Sequence, residues 1–258
     1  MFLKLFKYSI RDVARSKWLI FYGLFFFLLT EFLIWFSTDV SRAIVSLLNV
    51  IIIIIPLVSI IFGTIYTYNS REFVELLLSQ PISRTSLYNS IYLGLSLPLA
   101  ISFLIGTGIP LLIQTSIDPQ ILLIILFSGS ALSFIFVGIA FSMALSFDDK
   151  VKGMGFAFII WLGLSVIYDA LILLFVWLFG DYPLETALIL LSSANPIDLS
   201  RIMVMLKFDV AALMGYTGAI FQRFFGGLTG IVYSLGLLLA WILILYYFGK
   251  RKFKNKNF

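Results

Sequence analysis

LLNVIIIIIPLVSIIFGTIYTY, residues Leu47–Tyr68, runs for twenty-two residues without a charged side chain. A helix of about 20 apolar residues crosses a hydrocarbon core of about 30 Å. Its backbone groups are then satisfied internally, as a medium without water requires. The stretch therefore reads as a membrane-spanning helix. Five others read the same way: Trp18–Phe36, Leu87–Ile113, Ile121–Phe147, Met154–Phe179 and Leu228–Phe248. Together they predict an all-α polytopic membrane protein with six transmembrane helices. An even number of crossings places both termini on one side.

The cations indicate which side. Fourteen of the eighteen Lys and Arg residues lie before the first run, after the last, or in the loops following the second and fourth. The opposite side holds Arg42, Arg201, Lys207 and Arg223. Cationic loops resist translocation, so both termini are expected in the cytoplasm, with the chain in a bacterial inner membrane. The segment before Trp18 lacks a short apolar core followed by a small-residue cleavage site, so no cleavable signal peptide is expected.

Composition agrees. A chain that is 61% hydrophobic and 12% charged, with mean hydropathy +1.08, is not a soluble globule. The net charge of +5 does not point to nucleic acid, because the basic residues flank spans, where anionic lipid headgroups account for them. Without Cys the chain has no disulfides, thiol catalysis or thiolate metal sites. Without His it has no common metal ligand and no usual general base near neutral pH.

Outside the spans, residues 1–17 read as an amphipathic helix on the cytoplasmic face. Lys4, Lys7, Arg11 and Arg15 share one side, and Leu3, Phe6, Ile10 and Val13 another. The loop 69–86 predicts a short helix capped by Ser70, with Glu72, Glu75 and Ser79 as its polar stripe, ended by Pro81. Ser83 is the expected N-cap of the next span. So apolar a helix beside charged flanks either dips into the interface or fits a groove on a cytoplasmic partner. The second loop, Asp148–Gly153, is too short for a domain and reads as a solvated turn, with a minor partner contact as the alternative.

The outer segment 180–227 is the largest piece outside the spans. Asn195-Pro196-Ile197-Asp198 is a helix start: Asn at the N-cap, Pro at N1, and an acid near the positive end of the dipole. Leu199, Ile202, Met203 and Leu206 follow along an apolar side, with Arg201 and Lys207 off it. Gly215 and Gly218 are expected to bracket a turn before the last span. An apolar helix here lies in the interface, re-enters the membrane or docks a partner.

Charges inside spans are costly and mark candidate sites. Glu31, late in the first run, is read as snorkelling to the outer end. Asp169, flanked by apolar residues in the fifth, is the stronger cavity candidate. It could line a cavity, accept a hydrogen bond from a Tyr or Asn, or be neutral and structural. Asn49 and Gln114 are weaker. Pro56, Pro98 and Pro110 release backbone carbonyls inside their helices.

The pattern R-E-x-x-E-L-L-L-S-Q-P-I-S-R (Arg71 to Arg84) resembles the first cytoplasmic loop of ABC-2-type transporter permeases. The six runs and amphipathic N-terminus extend that resemblance over the chain, implying a single permease domain, 1–258. It implies that Arg71, Glu72, Glu75, Leu76, Leu77, Gln80, Pro81 and Arg84 couple to a separate cytoplasmic ABC ATPase. No G-x-x-x-x-G-K-[ST] occurs in the sequence, so ATP and Mg belong to that subunit. No enzyme activity and no cofactor are expected here. Half the usual twelve spans implies a second copy of the chain.

The stretch from Asn195 to Gly226, with SQPISR, is similar to one branch, the permease of the transporter that matures nitrous oxide reductase. That resemblance implies a periplasmic β-helix protein as partner and a role in assembling the reductase's copper–sulfide site. Asn195, Pro196, Asp198, Arg201, Met203 and Lys207 would then face that partner. Copper ligation by Met203, Met205 and Met214 is not expected, since residues two apart on a helix diverge by about 200°. Alternatives are a generic exporter of a lipid, peptide or antibiotic, a membrane enzyme, and a non-transporting scaffold. The membrane enzyme is disfavoured by the lack of His, Cys and clustered carboxylates.

Overall fold

The computed structural model describes residues 2–37, 39–114, 117–180, 182, 184–207 and 215–256, with the side chains of 2, 185 and 215–228 outside the description. The described residues form helices joined by short connections, with no strand among them. In order the helices are α1 Phe2–Ala14, α2 Lys17–Phe36, α3 Val40–Asn69, α4 Arg71–Leu78, α5 Arg84–Ile113, α6 Pro119–Ser146 and α7 Lys150–Leu162. They continue with α8 Tyr168–Phe179, α9 Glu185–Ser193, α10 Pro196–Met205 and α11 Gly215–Asn255. α7 and α8 form one long helix, Lys150–Phe179, joined by a π-helical turn at Gly163–Ile167.

Six helices are long and apolar enough to cross a membrane: α2, α3, α5, α6, α7–α8 and α11. This is the expected all-α polytopic architecture. On α2, Trp18 and Trp35 are exposed seventeen residues apart, about 25 Å along a helix. That spacing suits two aromatic anchors at the edges of the hydrocarbon.

α3, α5 and α6 form the centre, with half or more of each span's most apolar stretch buried within the chain. Small residues set the crossings. Gly106 of α5 lies against the backbone of Gly23 in α2, leaving no room for a Cβ, the close approach that small residues permit between spans. Aromatics fill the junction of α5, α6 and α11. Tyr88 and Tyr92 stack 5.9 Å apart, and Phe141 meets both edge-on. The Tyr92 hydroxyl donates to Phe134 O at 2.9 Å and the Tyr246 hydroxyl to Asn89 Oδ1 at 2.7 Å, satisfying their polar ends.

α1 does more than lie on a surface. Its Ser9 and Val13 are buried, and Ser9 sits where a Cβ on Gly94 of α5 would stand. The amphipathic helix is therefore docked on α5.

Two local expectations change. Ser70 does not cap α4; its hydroxyl donates to Tyr66 O at 2.6 Å and closes α3 instead. Ser83 does cap α5, accepting from Ser86 N. Gly215 and Gly218 make no turn, because α11 is continuous from Gly215. The Asp148–Gly153 loop is exposed from Asp148 to Lys152, as expected of a solvated turn, and is also anchored. Tyr68 donates to the carbonyls of Phe147 and Asp149, and Asp149 caps α7 through Val151 N and Lys152 N.

α9 and α10 form a bent pair, 114° apart, that is a broken span or a re-entrant element. α10 is enclosed: Ile197, Leu199, Met203 and Val204 all belong to the main core, and the helix packs against α3, α6 and α11. The apolar side of this outer helix is thus covered by the chain's own spans.

Candidate functional site

At the end of the bundle bearing both termini, α4 is a short helix anchored on one side and free on the other. Val74 and, just beyond the helix, Ile82 are buried, while Leu76 is 68% exposed. Phe73 stacks on Tyr8 of α1 with ring centroids 5.2 Å apart. Arg71 Nε reaches Glu75 Oε1 at 3.3 Å, and Arg71 Nη2 reaches Asp148 Oδ1 at 3.1 Å. Lys256 Nζ meets the same Asp148 oxygen at 3.0 Å. Hydrogen bonding from Lys256, then the charges of Lys256 and Arg71, hold the Asp148 carboxyl below its ordinary range. Backbone N–H groups of Lys152 and Val151 do the same for Asp149.

The C-terminal segment completes this network. Arg84 Nη1 donates to the carbonyls of Lys254 at 2.8 Å and Lys256 at 2.7 Å. Lys256 also donates to Leu145 O at 2.9 Å, and Lys252 to Ser146 Oγ. The basic tail, read from sequence as an orientation signal, also ties α11 to α5 and α6. Nothing in its composition distinguishes the two roles.

The eight loop residues thus divide. Glu72, Glu75, Leu76, Gln80 and Pro81 are on the exposed side, Leu76 being a large apolar side chain among polar neighbours. Arg71, Leu77 and Arg84 are turned inward, where they hold α4 to the bundle.

A second polar cluster sits where α8 meets α9 and α10. Asp169 lies two-thirds along Lys150–Phe179. Its partner is neither Tyr nor Asn but a guanidinium: Arg201 Nη1 is 2.8 Å from Asp169 Oδ2 and 3.4 Å from Asp198 Oδ1. The π-helical turn explains how α10 is received there. Tyr168 N–H bonds to Gly163 O, one residue farther back than in an α-helix. That releases Leu164 O, which accepts Asn195 Nδ2 at 2.8 Å. Asn195 Oδ1 meanwhile accepts from Ile197 N at 3.0 Å and caps α10, whose first residue is Pro196. The Tyr168 hydroxyl donates to Leu191 O at 2.6 Å, fixing α9.

Asn195, Pro196, Asp198 and Met203 are therefore buried among the chain's own helices. Arg201 is partly exposed, and Lys207 is tied to Asp118 Oδ2 at 3.6 Å and to Gln120 at the start of α6. Met205 is also buried, and Met214 lies outside the described residues. Glu31 is half-buried on α2, Asn49 is exposed on α3, and Gln114 ends α5. The Asp169–Arg201 pair is not legible from spacing, since it joins residues thirty-two apart across an elbow. The only local hint is an acid and a base at Asp198 and Arg201, three residues apart and so on one helical face.

No family model matches the chain. It is 27% identical over 226 residues to a curated protein of Pseudomonas aeruginosa described as "Probable ABC transporter permease protein NosY", covering 80% of this chain and 82% of that one. The chain thus resembles an ABC transporter permease along most of its length.

Proposed function

We propose that this chain is the transmembrane permease subunit of an ATP-driven ABC transporter, with the termini and α4 in the cytoplasm of a bacterium. The observation that carries this reading is α4: a two-turn helix displaying Leu76 outward while its other contacts lead into the bundle. It touches α1 through Phe73 and the α6–α7 loop through Arg71. Just beyond the following loop, Arg84 at the start of α5 reaches α11. A push on such a helix by a closing ATPase would reach several spans at once. The similarity to a protein named as an ABC permease supports the same reading. ATP and Mg would be bound by that separate subunit, and a second copy of this chain would complete the membrane unit.

In its finer form, the complex serves maturation of the nitrous oxide reductase copper–sulfide site and couples the ATPase to a periplasmic β-helix protein. The resemblance of SQPISR and the Asn195–Gly226 stretch supports this form. Since most of the proposed docking residues are enclosed, partner recognition would fall to the exposed surface around Arg201 and the α8–α9 connection. Removing the gene and assaying the reductase tests it. The maturation role predicts normal reductase polypeptide lacking its copper–sulfide site. A fully loaded reductase would leave the generic exporter.

A further inference from the structure

The Asp169–Arg201–Asp198 cluster carries a charge imbalance. One guanidinium nitrogen, Arg201 Nη1, serves both carboxylates, so two ionised acids would leave one net negative charge. Asp198 is the enclosed member, its side chain 7% exposed, and its second oxygen, Oδ2, is buried without a hydrogen-bond partner. Ser192 is 1% exposed, and its Oγ is likewise unpartnered. Both residues line one cavity of about 150 Å³ with Asp169, Arg201 and the apolar Ile172, Leu173 and Ile202.

Two buried, unpartnered oxygens on residues that line one small cavity, beside an excess negative charge, call for a positively charged or hydrogen-donating partner. A metal ion fits poorly. Calcium and its relatives take six or more oxygens, whereas the side chains lining this cavity offer only two carboxyl groups and one hydroxyl, and the Arg201 guanidinium in the same space repels a cation. A proton meets the need without that repulsion. It converts Asp198 to a donor and leaves Arg201 and Asp169 as a balanced pair.

We propose that this cluster is a proton-binding site, holding one proton on the Asp169–Asp198 pair, mainly on Asp198. Among the described residues, the charged groups facing Asp198 are Asp169 from α8 and Arg201 from α10, while Tyr233 of α11 meets the Ser193 hydroxyl at 2.9 Å. Tyr168 of α8 directs its hydroxyl to Leu191 O. α6 has no charged residue, and α3 has only Arg42 in its first turn. Lys207 is engaged with Asp118 and Gln120. Because Asp169 belongs to a span and Asp198 to the α9–α10 elbow, occupancy by the proton sets how firmly the two are joined. With the proton bound, the cluster is neutral and closed. Without it, Asp198 needs water, and the elbow loosens.

The test is infrared difference spectroscopy of the full-length protein in lipid nanodiscs, titrated from about pH 5 to about pH 9. The wild type is expected to show the carbonyl stretch of a protonated buried carboxyl, fading as pH rises. Asp198→Asn and Asp169→Asn each leave one carboxylate on one guanidinium, so each should abolish the band. Arg201→Gln removes the cation and should carry the band to higher pH. A wild type with no such band would overturn the proposal. So would a band surviving both Asn variants, which would point to another acid such as Glu31. A missing band with thermal stability rising in Na⁺ or K⁺ would mean a metal-ion site and equally overturn it. The wild-type titration decides the matter even where a variant fails to fold.

Discussion

Asn195 joins two elements with one side chain. Its Oδ1 caps α10 and its Nδ2 takes the carbonyl released by the π-helical turn. Asn195→Ala removes both bonds and is expected to cost about 2 kcal/mol. Asn195→Ser keeps a capping oxygen and loses the amide donor, at about half that cost on the same scale. Thermal unfolding in detergent should rank them wild type, Ser, Ala; equal loss in both variants would mean the cap contributes nothing. The cap itself was legible, because Asn-Pro-x-Asp states a helix start in chemical terms. The donor role was not, because the acceptor is made by a local irregularity thirty-one residues away. Likewise Asp169 stood out as an acid among apolar residues, yet its guanidinium partner comes from a helix that periodicity alone leaves outside the membrane.

Among the elements, the long spans were readable in number and centre, since twenty apolar residues have few other uses, but α3 begins seven residues before its apolar run, and α11 begins thirteen before its own and ends seven after it. The short helices were readable in kind but not in placement. α10 is as apolar as an interfacial helix and is instead enclosed by α3, α6 and α11, a choice made by tertiary packing that no helical period reports. α1 is similar: its moment suits a lipid surface, but Ser9 fills the space beside Gly94. Gly94→Leu should therefore displace α1 from α5, seen as greater proteolysis of the first fourteen residues with the spans intact. Unchanged cleavage would mean that α1 is held by lipid alone.

The network that ties the terminal end together also has a pH signature. Asp148 is held below the usual carboxylate range by Lys256 and Arg71, so the stabilisation is present above that range and lost as pH falls through the lowered value. Spin labels on the C-terminal segment should become mobile only in acid below the ordinary carboxylate range and stay ordered at neutral pH. In Asp148→Asn they should be mobile throughout. Labels that remain ordered in acid would show that the Arg84 hydrogen bonds to Lys254 and Lys256 suffice by themselves.

At the scale of the whole molecule, the two polar regions occupy different parts of one bundle. The terminal end gathers α1, α4, the α6–α7 loop and the tail of α11, whereas the buried acid–base cluster lies beyond the middle of the fifth span. The central α3, α5 and α6 connect them. The cation bias implied which side should meet a cytoplasmic partner, and the fold places the exposed apolar Leu76 among those same basic segments.

The most direct measurement of the central claim is purification of the C-terminally tagged protein from native membranes in mild detergent, in parallel with Leu76→Asp. The account predicts that an ATPase with a phosphate-binding glycine-rich loop co-purifies stoichiometrically with the wild type. Leu76→Asp should yield equally folded protein without the ATPase, because a charge on the exposed face of α4 leaves the bundle's own contacts untouched. Folded wild-type protein that brings down no ATPase would contradict the permease assignment. An ATPase bound equally by both proteins would contradict α4 as the coupling element.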